Sequence, residues 1–473
     1  MSAINTNVSS LIAQNALAAN NAALQTSLTR LSTGLKINTG ADDPAGLIAA
    51  NDLKQQQAGI NTAISNANEA NNVIGTAAGG LTEVSSLLNE LQSLVSQTAN
   101  SGGLSTSEVS ANQLQVDSIL QTINRVAGST QFSGQQLLNG NYAYTTSSTG
   151  TSAFAAISVN AALLADNKTT AVVVNVSNSA TTGALKYTGT TSSLTAAVSL
   201  QVGGAVGSEQ LSFASGTKLS AVAASINGTT GVTGVSAAAS GKYLKIDSTG
   251  FGSADFVSVA ATAGTFATTN PASAIVSKAY GTDATVTVDG AAATVAGKDV
   301  TYRNNTLDVN FTLSSYLNAG HSWTFGITGG GATFALGEQV DQADKASIGI
   351  GSVQTGSLGD VTTGYLSTLA SGGTNSLTSG NLSTAQTILS EAINQVSTLN
   401  GRLGAFQKYT IGSTIDNLTV AYENASSALS NVEDTNFASE TANLTRAQIL
   451  ASSATTVLAT ANSQPQNVLK LLG

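Results

Sequence analysis

The feature that most limits what this chain can fold into is a seam of apolar residues too long for any globule. Leu53, Ile60, Ile64, Ala67, Ile74, Ala78, Leu81, Leu88 and Val95 succeed one another in steps of three, four or seven, the spacing of a single helix face. Gln57, Asn71, Ser85 and Gln92 occupy the skipped positions; Gln57, Asn71 and Gln92, with Asn21 nearer the start of the chain, would fix register between neighbouring helices at some cost in stability. Asp42-Asp43-Pro44 reads as the start, an Asp cap followed by Pro at the first helical position. Gly102-Gly103 breaks the pattern. A helix from about 44 to 98 is ~80 Å long at 1.5 Å per residue. Its seam needs other helices alongside.

Those helices are present at both ends of the sequence. Before the long segment, Leu17, Leu24, Leu28, Leu31 and Leu35 form a heptad seam with Asn21 at the skipped position, ending near Gly34. After it, Val109, Val116, Ile119, Leu120, Ile123 and Val126 predict a helix over about 105–128. Near the other end, Ile388, Ala392, Val396, Leu399 and Leu403 form one seam, and Ile411, Ile415, Leu418, Tyr422, Ala425 and Leu429 the next. A last helix carries Phe437, Leu444, Ile449, Leu450, Val457 and Leu458, with Pro465 bounding a tail that includes Val468 and Leu469.

Residues 141–375 change texture. Thr, Gly and Val become frequent, and stretches such as Ala284–Gly290 and Leu307–Leu313 alternate with period two, as half-buried antiparallel strands do. Leu219–Ile226 interrupts them with a helical pattern, so 213–259 reads as a compact inserted α+β unit. The expected architecture is α+β and multidomain. N- and C-terminal α-helices pack together as a coiled-coil-like bundle, with β-rich middle domains inserted between them. The alternative is three unrelated domains in a row, but neither end carries an aromatic core of its own. The expected segments are 1–43 and 434–473 as a joint terminal piece, 44–140 and 376–433 as a long-helix domain, 141–210 and 263–375 as an outer β domain, and 211–262 as the insert.

Composition restricts the partners. Only 9% of the 473 residues are charged, against roughly 25% in ordinary soluble proteins, which suits a surface covered by copies of the same chain or by sugar. A net charge of -9, with Lys and Arg scattered singly, argues against nucleic acid. Cysteine is absent, so neither disulfides nor thiolate chemistry arises. No run of 18 apolar residues exists, so no membrane insertion is expected. The first residues lack the charged and apolar regions of a secretory signal; work outside the cell would need another export machine.

The end segments resemble bacterial flagellin. Ile4-Asn5-Thr6-Asn7, Leu28-Thr29-Arg30-Leu31-Ser32-Thr33-Gly34-Leu35-Lys36-Ile37-Asn38 and Asp42-Asp43-Pro44-Ala45-Gly46-Leu47 are similar to that family's N-terminal signature. Arg446-Ala447-Gln448-Ile449-Leu450, Ala461-Asn462 and Pro465-Gln466-Asn467-Val468-Leu469 are similar to its C-terminal one. Gly401–Gln407 is similar to the segment between its C-terminal helices, and 213–259 resembles a small insert found in flagellin and hook proteins. The resemblance implies a secreted subunit of the extracellular flagellar filament, a homopolymer for swimming. It would be exported unfolded through a type III channel with a chaperone, and added beneath a cap.

The resemblance also implies nested tubes of terminal helices, disordered in the monomer and folded on assembly. The residues agree in kind. Each buried Leu or Ile is worth ~1.5–3 kcal/mol against ~1–2 kcal/mol of backbone entropy per ordered residue, so one chain's ends should fold only with several copies together. The expected polymerisation residues are Leu17, Leu24, Leu28, Leu31, Leu35, Ile449, Leu450, Val457, Leu458, Val468 and Leu469. The expected inter-helix residues are Ile60, Ile64, Ile74, Leu81, Leu88, Ile411, Ile415 and Leu418. Arg30, Arg402 and Arg446 are expected to pair with Asp42, Asp43, Glu433, Asp434 or Glu440. Many flagellins are recognised by an innate immune receptor through a stretch matching Leu88–Gln97. Leu88, Leu94 and Gln97 fit that pattern, while Glu90 stands where the family has a basic residue.

The residues offer little to a catalytic reading. One histidine, His321, cannot make a two-histidine zinc motif, and a metal cluster of Cys and His is impossible. Asp42-Asp43 reads as capping. Gly329-Gly330-Gly331 leads into a strand pattern without the lysine of a phosphate loop. No enzyme, cofactor or metal is expected. The competing readings are a hook–filament junction protein and a filament-displayed adhesin. Hydroxyl-linked glycosylation of the middle is an expectation without a nominated residue.

Overall fold

The computed structural model describes residues 6–100, 103–148, 153–164, 169–314, 319–339, 341–361 and 363–471, with the backbone alone for 148 and 465–471. The chain forms two compact units: residues 1–71, 335–344 and 408–473 make the first, and 72–334 and 345–407 the second. Both ends of the chain therefore meet in the first unit, and the β-rich middle lies wholly within the second apart from one hairpin tip.

Helix α1, Val8–Thr33, opens with the Asn7 side chain accepting from the Ser10 N–H at 3.0 Å and closes on Gly34, left-handed at φ 78°, whose N–H reaches the Arg30 carbonyl at 2.9 Å. Helix α2, Pro44–Ala99, starts where the Asp-Pro pair predicts. Asp43 accepts from the Gly46 N–H at 2.9 Å, and Asp42 gathers the N–H groups of Thr39 and Asn38 and the Thr39 hydroxyl. Those hydrogen bonds, the Thr39 amide foremost, hold the Asp42 carboxyl below its ordinary range. Gly46 has a steric reason: a Cβ there would stand 2.5 Å from both the Asp43 carboxylate and the buried Ile37 side chain.

The connection from α1 to α2 pairs with the one between α7, Ser413–Glu433, and α8, Phe437–Leu471. Lys36 N–H donates to the Glu433 carbonyl at 2.6 Å, Thr435 N–H to the Gly34 carbonyl at 2.8 Å, and Leu35 bridges Asp434. Lys54 neutralises the buried Glu433 carboxylate. The tip of the hairpin from the middle of the chain rests on α2 at Gly59, where a Cβ would meet Glu338 at 2.8 Å.

The seam of α2 differs from expectation along one of its two lines. Ile60, Ala67, Ile74, Leu81, Leu88 and Val95 are buried as expected, but the second line is Ala63, Ala70, Ala77, Val84, Leu91 and Thr98. Ile64 and Ala78 are half-buried. Gln57, Asn71, Ser85 and Gln92 therefore flank the seam rather than sit in it, and Asn21 of α1 is exposed. Three- and four-residue steps mark adjacent lines of one face, and alanines announce no line by hydrophobicity.

In the second unit, α3, Thr106–Ser129, begins with a capping box between Ser105 and Glu108, and the buried Gln113 amide binds the Leu369 carbonyl and the Leu377 N–H at 2.9 and 2.7 Å. Helix α6, Leu382–Ala405, buries Ile388, Ala392, Val396, Leu399 and Leu403 as read from the sequence. Between α6 and α7 the expected break is a continuous π-helical turn, Phe406–Gly412. The apolar cadence takes eight residues, not seven, from Leu403 to Ile411, and a wider turn absorbs the extra one.

The β region holds two bodies. In one, a five-stranded and a four-stranded antiparallel sheet enclose Val172, Val174, Val309, Phe325 and their neighbours, with Phe154 edge-on to Phe311 and Phe325. The other is the insert, and it is wider than 211–262. Its two four-stranded sheets begin with Thr182–Thr188 and end with Lys278–Tyr280, and α4, Leu219–Gly228, followed by the single turn α5, Thr230–Thr233, packs with them around Leu200, Val222, Ile226 and Ile246. Strand alternation in 182–204 is plain in the sequence. Which body each strand joins depends on pairing, which alternation does not encode.

Asp283 ties the two bodies. Its carboxylate accepts from the Ser253 hydroxyl at 2.5 Å, the Ser253 N–H at 3.0 Å and the Gly297 N–H at 2.7 Å. The Ser253 hydroxyl above all, then the two amides, lowers its pKa. A carboxyl depressed in the folded state adds stability above its unfolded pKa of ~3.9, lost as pH falls through the lower folded value. At neutral pH, Asp283→Asn is therefore expected to speed amide exchange at Ser253 and Gly297. The difference should vanish in acid below the folded pKa. Equal exchange in the two proteins at neutral pH would remove Asp283 as the tie.

Candidate self-association surface

Two rows of side chains hold α1 and α8 antiparallel. On α1 the row is Ser10, Ala13, Leu17, Asn20, Leu24, Ser27 and Leu31; on α8 it is Glu440, Leu444, Ala447, Ala451, Ala454, Leu458 and Ala461, every step three or four residues. Ser10, Ala13, Ser27, Glu440, Ala447, Ala454 and Ala461 are buried, and the rest of both rows is half-buried. Small residues let the helices approach with Cα atoms within 8 Å along the pair. Polar groups close the ends. Asn7 Nδ2 donates to the Ala461 carbonyl and Ser10 Oγ to Asn462 Oδ1, both at 2.7 Å, while Arg30 lies 3.9 Å from Glu440 at the opposite end.

The large apolar residues of the same helices point elsewhere. Val8, Leu11, Ile12 and Leu28 on α1, with Phe437, Ile449, Leu450 and Val457 on α8, are between 45 and 64% exposed. The pair thus buries small residues and Glu440, half-buries five leucines, and leaves these eight apolar side chains in water, an arrangement that marks an interaction surface.

The expected polymerisation residues divide accordingly. Leu28, Ile449, Leu450 and Val457 lie on the outward rows. Leu17, Leu24, Leu31 and Leu458 lie in the α1–α8 seam, and Leu35 is half-buried in the paired connection. The side chains of Val468 and Leu469 lie outside the described residues. Val8, Leu11, Ile12, Ala13, Ala447, Ala454 and Ala461 were missed. The α8 alanines had a signal, since 447, 454 and 461 are spaced by seven.

Among the inter-helix candidates, Ile60, Ile74, Leu81, Leu88 and Ile411 are buried, and Ile64, Ile415 and Leu418 half-buried. In the receptor-like stretch, Leu88 and Leu94 are buried and Glu90 and Gln97 exposed. Arg30 meets two of its expected partners, Asp42 and Glu440, each at 3.9 Å. Arg402 does not. It donates to the backbone carbonyls of Asn160 at 2.7 Å and Gly349 at 3.4 Å in the β region, because α6 carries it to the base of the sandwich. Among the described residues no carboxylate lies within 4 Å of Arg446, and no helix is long and apolar enough to cross a membrane.

Comparison with known proteins places both ends. Residues 4–143 match the family model of the bacterial flagellin N-terminal helical region, and residues 386–472 that of the C-terminal helical region. The chain is 31% identical to a flagellin of Salmonella rubislaw and 28% identical to the B-type flagellin of Pseudomonas aeruginosa, covering 99% of both partners in each case. Among solved structures, FlgL of Xanthomonas campestris is 14% identical over 79% of this chain and 97% of that one, with a TM-score of 0.28.

Proposed function

The chain belongs to the bacterial flagellin family and is a structural subunit of the extracellular flagellar filament, and on that premise we propose that the outward rows of α1 and α8 are where copies join. One observation carries the proposal: the buried positions of the helix pair are, Glu440 apart, small residues, while Leu11, Ile12, Ile449 and Val457 face water. Each such side chain withdrawn from water on assembly contributes ~1.5–3 kcal/mol. In this reading residues 1–43 and 434–473 form the polymerising piece, and the long-helix segments 44–140 and 376–433 extend it. The seam residues Leu17, Leu24, Leu31 and Leu458 hold the pair together so that the outward rows are presented. Cap and junction proteins would meet the same rows at the ends of the polymer, and an export chaperone would cover them before secretion. The chain's work is assembly and not catalysis. For an innate immune receptor, exposed Glu90 in place of a basic residue supports weakened recognition.

Filament dissociated by mild acid or heat and returned to assembly conditions should rebuild long filaments from this chain alone, seen by electron microscopy. A chain lacking residues 1–35 should stay soluble with its β region intact and form none. Normal filaments from that truncation would overturn the proposal.

A further inference from the structure

We propose that the exposed face of the insert sheet built from Thr182–Thr188, Tyr243–Phe251 and Val235–Ser240 binds an anionic polysaccharide, its sulfates or carboxylates lying among Lys186, Lys242 and Lys245. The insert reverses the charge of the chain around it. Residues 182–280 carry five lysines against Glu209, Asp247 and Asp255, a net +2 in a chain of -9, which leaves -11 for everything else.

Three of those lysines converge. Lys186 stands directly opposite Lys245 in the strand ladder, and like charges so placed destabilise a sheet. Lys242 lies at the neighbouring turn. Only Lys245 is balanced, by Asp247 at 2.9 Å; among the described residues neither Lys186 nor Lys242 has a carboxylate within 4 Å. Both ammonium groups instead rest on one ring, that of Tyr243, at 4.0 and 5.5 Å from its centre. Tyr243 is 39% exposed. Its cross-strand neighbours are Thr188 on one side and Ser240 on the other, and Thr269 lies opposite Lys186. Unbalanced ammonium groups, an aromatic ring and hydroxyls on one exposed sheet face suit an extended anionic sugar chain.

The other candidate occupant is an acidic surface on a second copy. It fits less well. Acidic residues come along the sequence singly or as the adjacent pairs Asp42-Asp43 and Glu433-Asp434, a poorer match for three ammonium groups than a polymer with an anion on each repeat. A polyanion would be repelled by the acidic remainder of the filament and attracted at the insert, over a range of ~8 Å at 0.15 M salt.

The test measures retention on immobilised heparin, with uncharged dextran as control, for intact filaments and for dissociated monomer, so that it does not depend on assembly. Both forms should bind heparin and not dextran, and binding should weaken with salt. Lys186→Ala/Lys242→Ala/Lys245→Ala should weaken it about tenfold, as three exposed charge contacts would, and Tyr243→Ala less, with the salt dependence kept. Circular dichroism and filament morphology check that the variants fold. Failure of the unaltered protein to bind heparin would overturn the proposal, as would full binding by the triple variant. So would a triple variant whose only change is a loss of filament stability in low salt, which would mark the face as a contact between copies.

Discussion

Ile449→Glu combined with Val457→Glu is expected to give a chain that folds as before and does not polymerise. Both residues are more than half exposed in the single chain, and surface substitutions of this kind usually move stability by less than about 0.5 kcal/mol. In a contact between copies the same two carboxylates would be stripped of water without partners, at a cost of several kcal/mol. At about 1.4 kcal/mol per factor of ten, the concentration needed for assembly should rise at least ~100-fold. Sedimentation of polymer from soluble chain gives that concentration, and circular dichroism reports the helices. Ala454→Leu supplies the opposite pattern from the other side of α8. Ala454 is buried in the close seam with α1, and overfilling such a site costs ~1–3 kcal/mol, so the helix pair itself should loosen. Assembly of the double Glu variant at ordinary concentration would show that the outward rows do not join copies.

The contrast between those substitutions also shows what could be read from the residues. Helix ends were legible because their chemistry is local: Asp43 caps α2, Pro44 occupies its first turn, and Gly34 takes the left-handed conformation that closes α1. The seam of α6 was legible because Ile, Leu and Val mark its buried face, whereas α7 buries only Ala425 and Glu433 and leaves Ile415 and Leu418 half-buried. The α1–α8 seam was legible only in part. A search for large apolar residues finds Leu17, Leu24, Leu31 and Leu458 in the seam together with Leu28, Ile449 and Val457, which face outward, and passes over Ser10, Ala13, Ala447 and Ala454, which are its buried positions. Hydrophobicity reports what would gain from leaving water; it does not say whether the partner is in the same chain or the next.

Long-range placement set the second limit. The insert was recognised by its helix, Leu219–Gly228, yet its first strand comes from residues 182–188, because a strand's alternation fixes its faces and leaves its neighbour open. Arg402 shows the same for a single side chain. From the sequence its natural partner is a carboxylate near the helical ends, and the fold gives it carbonyls more than 50 residues away in the β region.

That placement gives Arg402 the second large effect. The Asn160 carbonyl accepts from both Arg402 Nη2 and the Gly349 N–H, each at 2.7 Å, while the Asn160 amide donates to Asp308 at 2.9 Å and Arg303 closes on the other oxygen of Asp308 at 2.7 Å. Burial lowers the pKa of the Arg402 guanidinium, and the nearby Asp308 charge opposes that shift; arginine remains charged at any working pH. Arg402→Ala removes the donor from a buried network and leaves the Gly349 carbonyl without its arginine contact, a loss of ~2–3 kcal/mol for a hydrogen bond involving a charged group. Arg402→Lys should recover part of it, since an ammonium can reach one carbonyl but lacks the planar fork. Thermal unfolding of the monomer should show the β region melting earlier in the Ala variant and between the two in the Lys variant. The α1–α8 pair, which Arg402 does not touch, should be unchanged. If the β region of Arg402→Ala melts with that of the unaltered chain, α6 is held to the sandwich by its apolar seam alone, and the arginine is a bystander.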